Sequence, residues 1–178
     1  MTGHQNTDRI MTTHVGSLPR PHDLLDMMKA RLGDGDHDEA AYQARVRAAV
    51  VECVRRQTET GIDIVCDGEQ SKSGFFTYAR ERLDGFEPRP RRPRTTFAAE
   101  VAAFPEYYEQ YFSTAMTGGA VTPVVPLVCT GPIRYRGEAA LRRDIDNLKA
   151  ALAGVPHFAA FVPAVAPSGV GENEHYNT

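Results

Sequence analysis

No apolar run in this sequence approaches the roughly 20 residues that a bilayer-crossing helix requires. The first residues, Met1 to Asp8, are polar and lack the apolar core of a secretory signal. Cysteine is scarce. Cys53, Cys66 and Cys129 are odd in number and far apart, which argues against a disulfide framework and for a reducing, cytoplasmic compartment. Charge of one sign is not in excess either: a formal net charge of -3 and a pI near 6.1 give no general attraction to nucleic acid or to an anionic membrane. Internal repeats and low-complexity tracts are also missing. What remains is an ordinary globular composition, 42% hydrophobic and 24% charged over 178 residues, long enough for one domain with a real core.

Residues 1–9 read as a flexible leader. Ile10 to Val15 is a short apolar, β-branched run that predicts a buried strand, broken by Gly16-Ser17. His22 to Lys29 can form a short helix with Leu24, Leu25 and Met28 on one side, and Gly33 to Asp38 is turn material. The clearest helix spans about Glu39 to Thr60. There Val46, Val50, Cys53, Val54 and Gln57 recur at helical spacing, and Gly61 stands where a C-terminal cap belongs. Ile62 to Val65 predicts a strand that ends at Cys66-Asp67-Gly68-Glu69, and Phe75 to Leu83 suits a helix. The proline- and arginine-rich stretch Glu87 to Arg94 reads as a solvated connection, since no aromatic residues interleave to stack bases. A helix after Pro105 follows. Val121 to Cys129 predicts the next strand, stopped by Thr130-Gly131-Pro132. Leu141, Ile145, Leu148 and Leu152 make a helical stripe up to Gly154, and Phe158 to Val165 predicts a last buried strand. Strands alternating with helices predict a parallel α/β architecture, and periodicity alone leaves both a barrel and an open doubly wound sheet in play.

Polar residues gather just beyond the strand ends: His14, Gly16 and Ser17 after the first, Asp67 and Glu69 after the second. Loops at that end of a parallel α/β sheet converge on a common mouth, where ligands bind. Each residue also has an ordinary structural use. Ser17 can cap a turn, Asp67 can bond a neighbouring amide, and His14 can be a satisfied core histidine. Their recurrence at equivalent positions makes a binding role competitive with those uses.

The motif Thr13-His14-Val15-Gly16-Ser17-Leu18-Pro19-Arg20, followed by Gly61-Ile62-Asp63-Ile64-Val65-Cys66-Asp67-Gly68-Glu69-Gln70, resembles the cobalamin-independent methionine synthase family. More closely it is similar to the single-barrel relatives that include the epoxyalkane–coenzyme M transferases. Phe75 to Tyr78, Arg82 to Phe86 and Cys129 to Ile133 fit the same pattern. The resemblance implies a TIM (β/α)8 barrel of the methionine synthase and uroporphyrinogen decarboxylase type, in which a zinc-bound thiolate attacks an alkyl donor. It also implies that Val15, Gly16, Ser17 and Glu69, with His14 and Asp67 beside them, bind an amino-acid thiol such as homocysteine. Backbone N–H groups and the Ser17 hydroxyl suit a carboxylate, while Glu69 suits an ammonium. A decarboxylase-like activity is the weaker reading, because the thiol-transferase motifs fit better.

Two departures from the family pattern qualify what the resemblance implies. Family zinc sites use a His-x-Cys pair and a further Cys on later strands. This sequence has no His-x-Cys, and Cys66 and Cys129 lie outside the ligand positions, so no residue here is expected to bind metal. In addition, Thr130-Gly131 stands where methionine synthases carry a basic residue for the folate donor, which points to a different donor. A barrel takes about 250 residues, so residues 10–178 correspond to its N-terminal half, incomplete in this chain. The expectation is therefore a subunit or fragment of a zinc-dependent methyl or alkyl transferase of methionine biosynthesis. Zinc would come from a complementary half-barrel chain, with a homodimer of halves or a truncated product as the other arrangements. The alternative is a non-catalytic truncated paralogue that acts as a binding or interaction protein.

Overall fold

The computed structural model describes residues 8–33, 37–89, 97–111, 127–166 and 172–177, which divide into two units. Unit 1 comprises Met1–Ser71 and Ala139–Ala164, and unit 2 comprises Lys72–Glu138 and Val165–Thr178.

Unit 1 is built on helix α2 (Glu39–Glu59). Asp38 caps its start by accepting from the Ala41 N–H at 2.9 Å, and Gly61, at φ +84°, takes the left-handed turn just past its end. Its buried face carries Tyr42, Val46, Ala49, Val50, Cys53, Val54 and Gln57. Helix α1 (His22–Leu32) begins directly after Pro21 and buries Leu24 and Met28. Arg45 of α2 binds Asp23 of α1 through Nε and Nη2, at 2.6 and 2.9 Å. Strand β1 (Ile64–Cys66) runs parallel to β4 (Ala159–Phe161), and a parallel bridge joins Thr13 to Ile64 on its other side. Helix α6 (Glu138–Leu152) lies, from its second residue on, in the same unit. Arg47 of α2 donates to the Asn147 side chain at 3.2 Å.

The strand expected over Ile10–Val15 shrinks to that single bridge. Ile10 and Val15 are 90% and 72% exposed, so the segment does not form the buried strand its composition suggests. Arg9 pairs with Asp63, which also accepts from the Thr12 N–H and hydroxyl, while residues 1–7 of the expected leader lie outside the described residues.

Unit 2 contains α3 (Phe75–Arg80), β2 (Leu83–Pro88), α4 (Ala98–Ala103), α5 (Pro105–Tyr111), β3 (Leu127–Tyr135) and β5 (Glu172–Asn173). Its sheet has the order β2-β3-β5, with β2 and β3 antiparallel. This corrects the sequence reading of Val121–Cys129 as the next parallel strand. Residues 121–126 lie outside the described ones, and β3 runs straight through Thr130-Gly131-Pro132. The reason is a register shift between Asp84 and Phe86. Gly85, at φ +90°, brings its backbone so close to the Gly131 and Pro132 carbonyls that a Cβ there would lie 2.8 and 2.7 Å from them. Such a bulge accepts a proline, which has no N–H for the ladder. The helix expected to reach Leu83 ends at Arg80, since Leu83 opens β2. Arg91, Arg92 and Arg94 of the arginine-rich stretch lie outside the described residues. The molecule is thus α/β, with a short parallel sheet in unit 1 and a separate, mostly antiparallel one in unit 2.

Candidate functional site

All six residues singled out from the sequence fall in unit 1, at the end of β1 where the chain leaves the sheet. Because Thr13 pairs in parallel with Ile64, the segments that follow each of them emerge at the same end. Residues 67–70 form a tight turn there, with Gly68 and Glu69 both left-handed at φ +60° and +57°. A Cβ on Gly68 would run into Cys53 Sγ and sit 3.2 Å from Leu18 Cβ, so the turn is pressed against both α2 and the first segment.

The two turns are stitched together. The Leu18 N–H donates to the Gly68 carbonyl at 3.0 Å, and Gln70 Nε2 donates back to the Leu18 carbonyl at 3.2 Å. Arg20 donates to the Glu69 carbonyl at 2.7 Å. Burial holds the Arg20 guanidinium below its ordinary pKa, against the opposing pull of Glu69, Tyr42 and Asp67.

The central contact is between Ser17 and Glu69. The Ser17 hydroxyl donates to Glu69 Oε2 at 2.5 Å. Glu69 is 2% exposed, and its other oxygen, Oε1, is buried without a hydrogen-bond partner. Asp67, equally buried, turns its carboxylate back to accept from the Glu69 N–H at 3.0 Å. Asp67 therefore shapes the turn and does not extend outwards. His14 contributes its carbonyl, 3.6 Å from Cys66 Sγ, and a buried Nε2 that has no hydrogen-bond partner. Gly16 sits at φ +108° with open space around it, and the Val15 side chain faces solvent. The structure thus brings Ser17, Glu69 and Asp67 into one hydrogen-bonded group and leaves the Val15 side chain outside it.

Three residues of this constellation were not among the sequence candidates. Arg20 and Gln70 stand inside the quoted motifs but have no separate signal in the pattern. Gln57 does carry one, as a polar residue on the apolar stripe of α2. A cavity of about 440 Å³ opens nearby, lined by Arg20, Pro21, Glu52, Cys53, Arg56 and Gln70 among others. It runs along α2 and includes neither Ser17 nor Glu69, and the arginine at Arg56 is paired with Glu52 at 2.6 Å.

The described residues do not fit a zinc ion. Among them no group of three or more His, Cys, Asp or Glu side chains could hold a metal. Cys53, Cys66 and Cys129 are separate, buried thiols, and burial pushes Cys53 up to about 11. Among the described residues no helix is long and apolar enough to cross a membrane.

Comparison with known proteins agrees with the motifs. The profile described as "Cobalamin-independent synthase, Catalytic domain" matches residues 10–91. Residues 10–91 are thus similar to this family, over somewhat less than half of the chain. Enzymes named 5-methyltetrahydropteroyltriglutamate–homocysteine methyltransferase are similar to it in Parvibaculum lavamentivorans (33% identity over 78 residues) and Streptomyces coelicolor (32% over 83 residues). The matches take in 44% and 47% of this chain, but only 10% and 11% of those enzymes. The chain therefore spans about a tenth of the curated relatives it matches. A solved structure of a B12-independent methionine synthase from Shewanella sp. W3-18-1, in complex with selenomethionine, is similar in fold. Its TM-score is 0.57 at 18% identity, over 94% of this chain and 42% of that one.

Proposed function

We propose that this chain supplies the thiol-substrate edge of a methyl or alkyl transferase of the methionine synthase type, acting on an amino-acid thiol such as homocysteine. The observation that carries the reading is the Glu69 carboxylate, buried, anchored through Oε2 to Ser17 and left with Oε1 unbonded. An acceptor of this kind is suited to an ammonium, which can bind Oε1 while the Ser17 bond keeps the carboxylate in place. The backbone at Gly16 faces open space, so on this reading its N–H groups, rather than the Ser17 hydroxyl already given to Glu69, meet the carboxylate of the same ligand. Holding both ends of an amino acid fixes where its sulfur points, and that lowers the entropic barrier to attack on an alkyl donor.

Activation of the sulfur belongs elsewhere. The described residues offer no zinc donor set, so zinc is assigned to a complementary half-barrel chain, or to the remainder of a longer protein, in a cytoplasmic setting. The two strands and one bridge of unit 1 correspond on this reading to the opening strands of a TIM barrel.

The test is calorimetric titration of homocysteine into the full chain and into Glu69→Gln. Removing the charged partner of the ammonium should weaken binding by about 1.5–3 kcal/mol, the usual worth of a charge-assisted hydrogen bond. Equal affinity in the two proteins would rule out the clamp.

A further inference from the structure

Gln57 interrupts the apolar stripe of α2 and is only 3% exposed. Both ends of its carboxamide bond Cys66, and Nε2 also donates to the Cys53 carbonyl of its own helix at 3.2 Å. Nε2 donates to the Cys66 carbonyl at 2.8 Å, and the Cys66 N–H donates to Oε1 at 3.1 Å. Cys66 is the last residue of β1, and the turn that carries Glu69 begins immediately after it. A glutamate at φ +57° is held in a conformation that L residues rarely adopt, so its surroundings must determine it. Arg20 and Gln70 tie the far side of the turn to residues 18–20, whereas the near side is tied to α2 through Gln57. An aliphatic side chain of similar size would fill the same space, so packing alone does not call for an amide here.

We propose that Gln57 is a positioning residue for the Glu69 carboxylate. It fixes the end of β1 on α2, so that the left-handed turn delivers Oε1 to the same point each time. The inference rests on the reading of Glu69 as an ammonium acceptor and names a residue that acts through it.

The experiment compares the full chain with Gln57→Leu in two measurements. One is calorimetric binding of homocysteine and of 4-mercaptobutanoate, the same thiol acid without the amino group. The other is amide hydrogen exchange. The variant should keep its α2 amides protected, exchange faster over residues 66–70, and lose roughly tenfold of the preference for homocysteine, about 1.4 kcal/mol. A preference left intact, or protection lost evenly over α2 and β1, overturns the proposal.

Should Gln57→Leu not fold, Gln57→Glu gives a second route. A protonated carboxyl can donate to the Cys66 carbonyl and accept from its N–H as the amide does, while a carboxylate cannot donate. Its preference should match the wild type near pH 5 and fall towards about pH 8, as a buried carboxyl ionises. The wild type carries the same neighbours, Cys53, Cys66, Asp67 and Arg56, and should stay flat, since both probes share the thiol. A flat Gln57→Glu profile overturns the proposal. A wild type with no preference for the amino group would instead sink the reading of Glu69, and the exchange measurement then still decides whether Gln57 holds the turn.

Discussion

Gly68 and Gly16 both adopt positive φ, yet a side chain costs something different at each. A methyl group on Gly16 meets nothing within 4 Å, so Gly16→Ala carries backbone strain alone. At Gly68 the same methyl must displace Cys53 Sγ and press on Leu18 Cβ, besides straining the backbone. Gly68→Ala should therefore be the more destabilising of the two by about 1–3 kcal/mol, the usual cost of overpacking a filled interior. Chemical denaturation of both variants checks this, and equal midpoints would mean that the turn is not packed on α2 as described. The close approach also bears on function. Because Gly68 lets the backbone reach Cys53 and Leu18, the next residue, Glu69, is carried under the surface.

One carboxylate adds to the backbone bonds that hold the N-terminal segment beside β1. Asp63 accepts from Arg9, the Thr12 N–H at 2.8 Å and the Thr12 hydroxyl at 3.0 Å, and these bonds hold its carboxyl well below the ordinary aspartate range. A carboxyl lowered in the folded state adds stability that is fully present above its unfolded pKa, about 3.9, and is lost as the pH falls through the folded value. Thermal melts of the wild type should accordingly drop below pH 4 more steeply than those of Asp63→Asn, and parallel curves would deny Asp63 this role. Helices α1, α2, α5 and α6 and strand β1 were legible in the sequence because their signals are local: an unbroken 3.6-residue stripe on α2, glycines at 61 and 154 past two helix ends, a β-branched run before Cys66; α4 was not. The β2–β3 pair was not. Leu83–Pro88 contains a glycine and a proline and shows no clean alternation, and Gly131-Pro132 looks like a terminator. Only the bulge at Gly85, a contact between distant segments, lets the strand continue there. Of the site, the strand-end positions of Ser17, Asp67 and Glu69 could be read from the pattern. The inward fold of Asp67 and the part of Gln57 depend on pairings 2 and 9 residues apart that no periodicity displays.

In unit 1, β4 is paired with β1 on one side only among the described residues, and Ala159, Ala160 and Phe161 are all half-buried where a central strand would be covered. Helix α6 tells the same story. Its buried face is Asp144, Asn147, Leu148 and Ala151, which shares only Leu148 with the stripe of Leu141, Ile145, Leu148 and Leu152 that the sequence displays. Leu141 remains 36% exposed and the neighbouring Phe158 44%. A sheet edge with open N–H and C=O groups, flanked by apolar side chains, is a surface that folded proteins cover or pair. The solved structure similar in fold extends well past the part this chain matches, which accounts for 42% of it. The proposed complement, whether a second chain or further sequence, would add a strand beside β4 and a helix against the outer stripe of α6. Interfaces that complete a core in this way are large and apolar, commonly above about 2,000 Å². Light scattering on the chain should therefore give a mass above the 19.6 kDa of one copy, or reach that state when a complementary half barrel is added. Leu141→Glu, which places a charge on the outer stripe without touching Ser17 or Glu69, should shift the mass back towards one copy. A chain that stays at 19.6 kDa under both conditions, with a single sharp unfolding transition, would show that unit 1 needs no cover and that the clamp works as a self-contained binding domain.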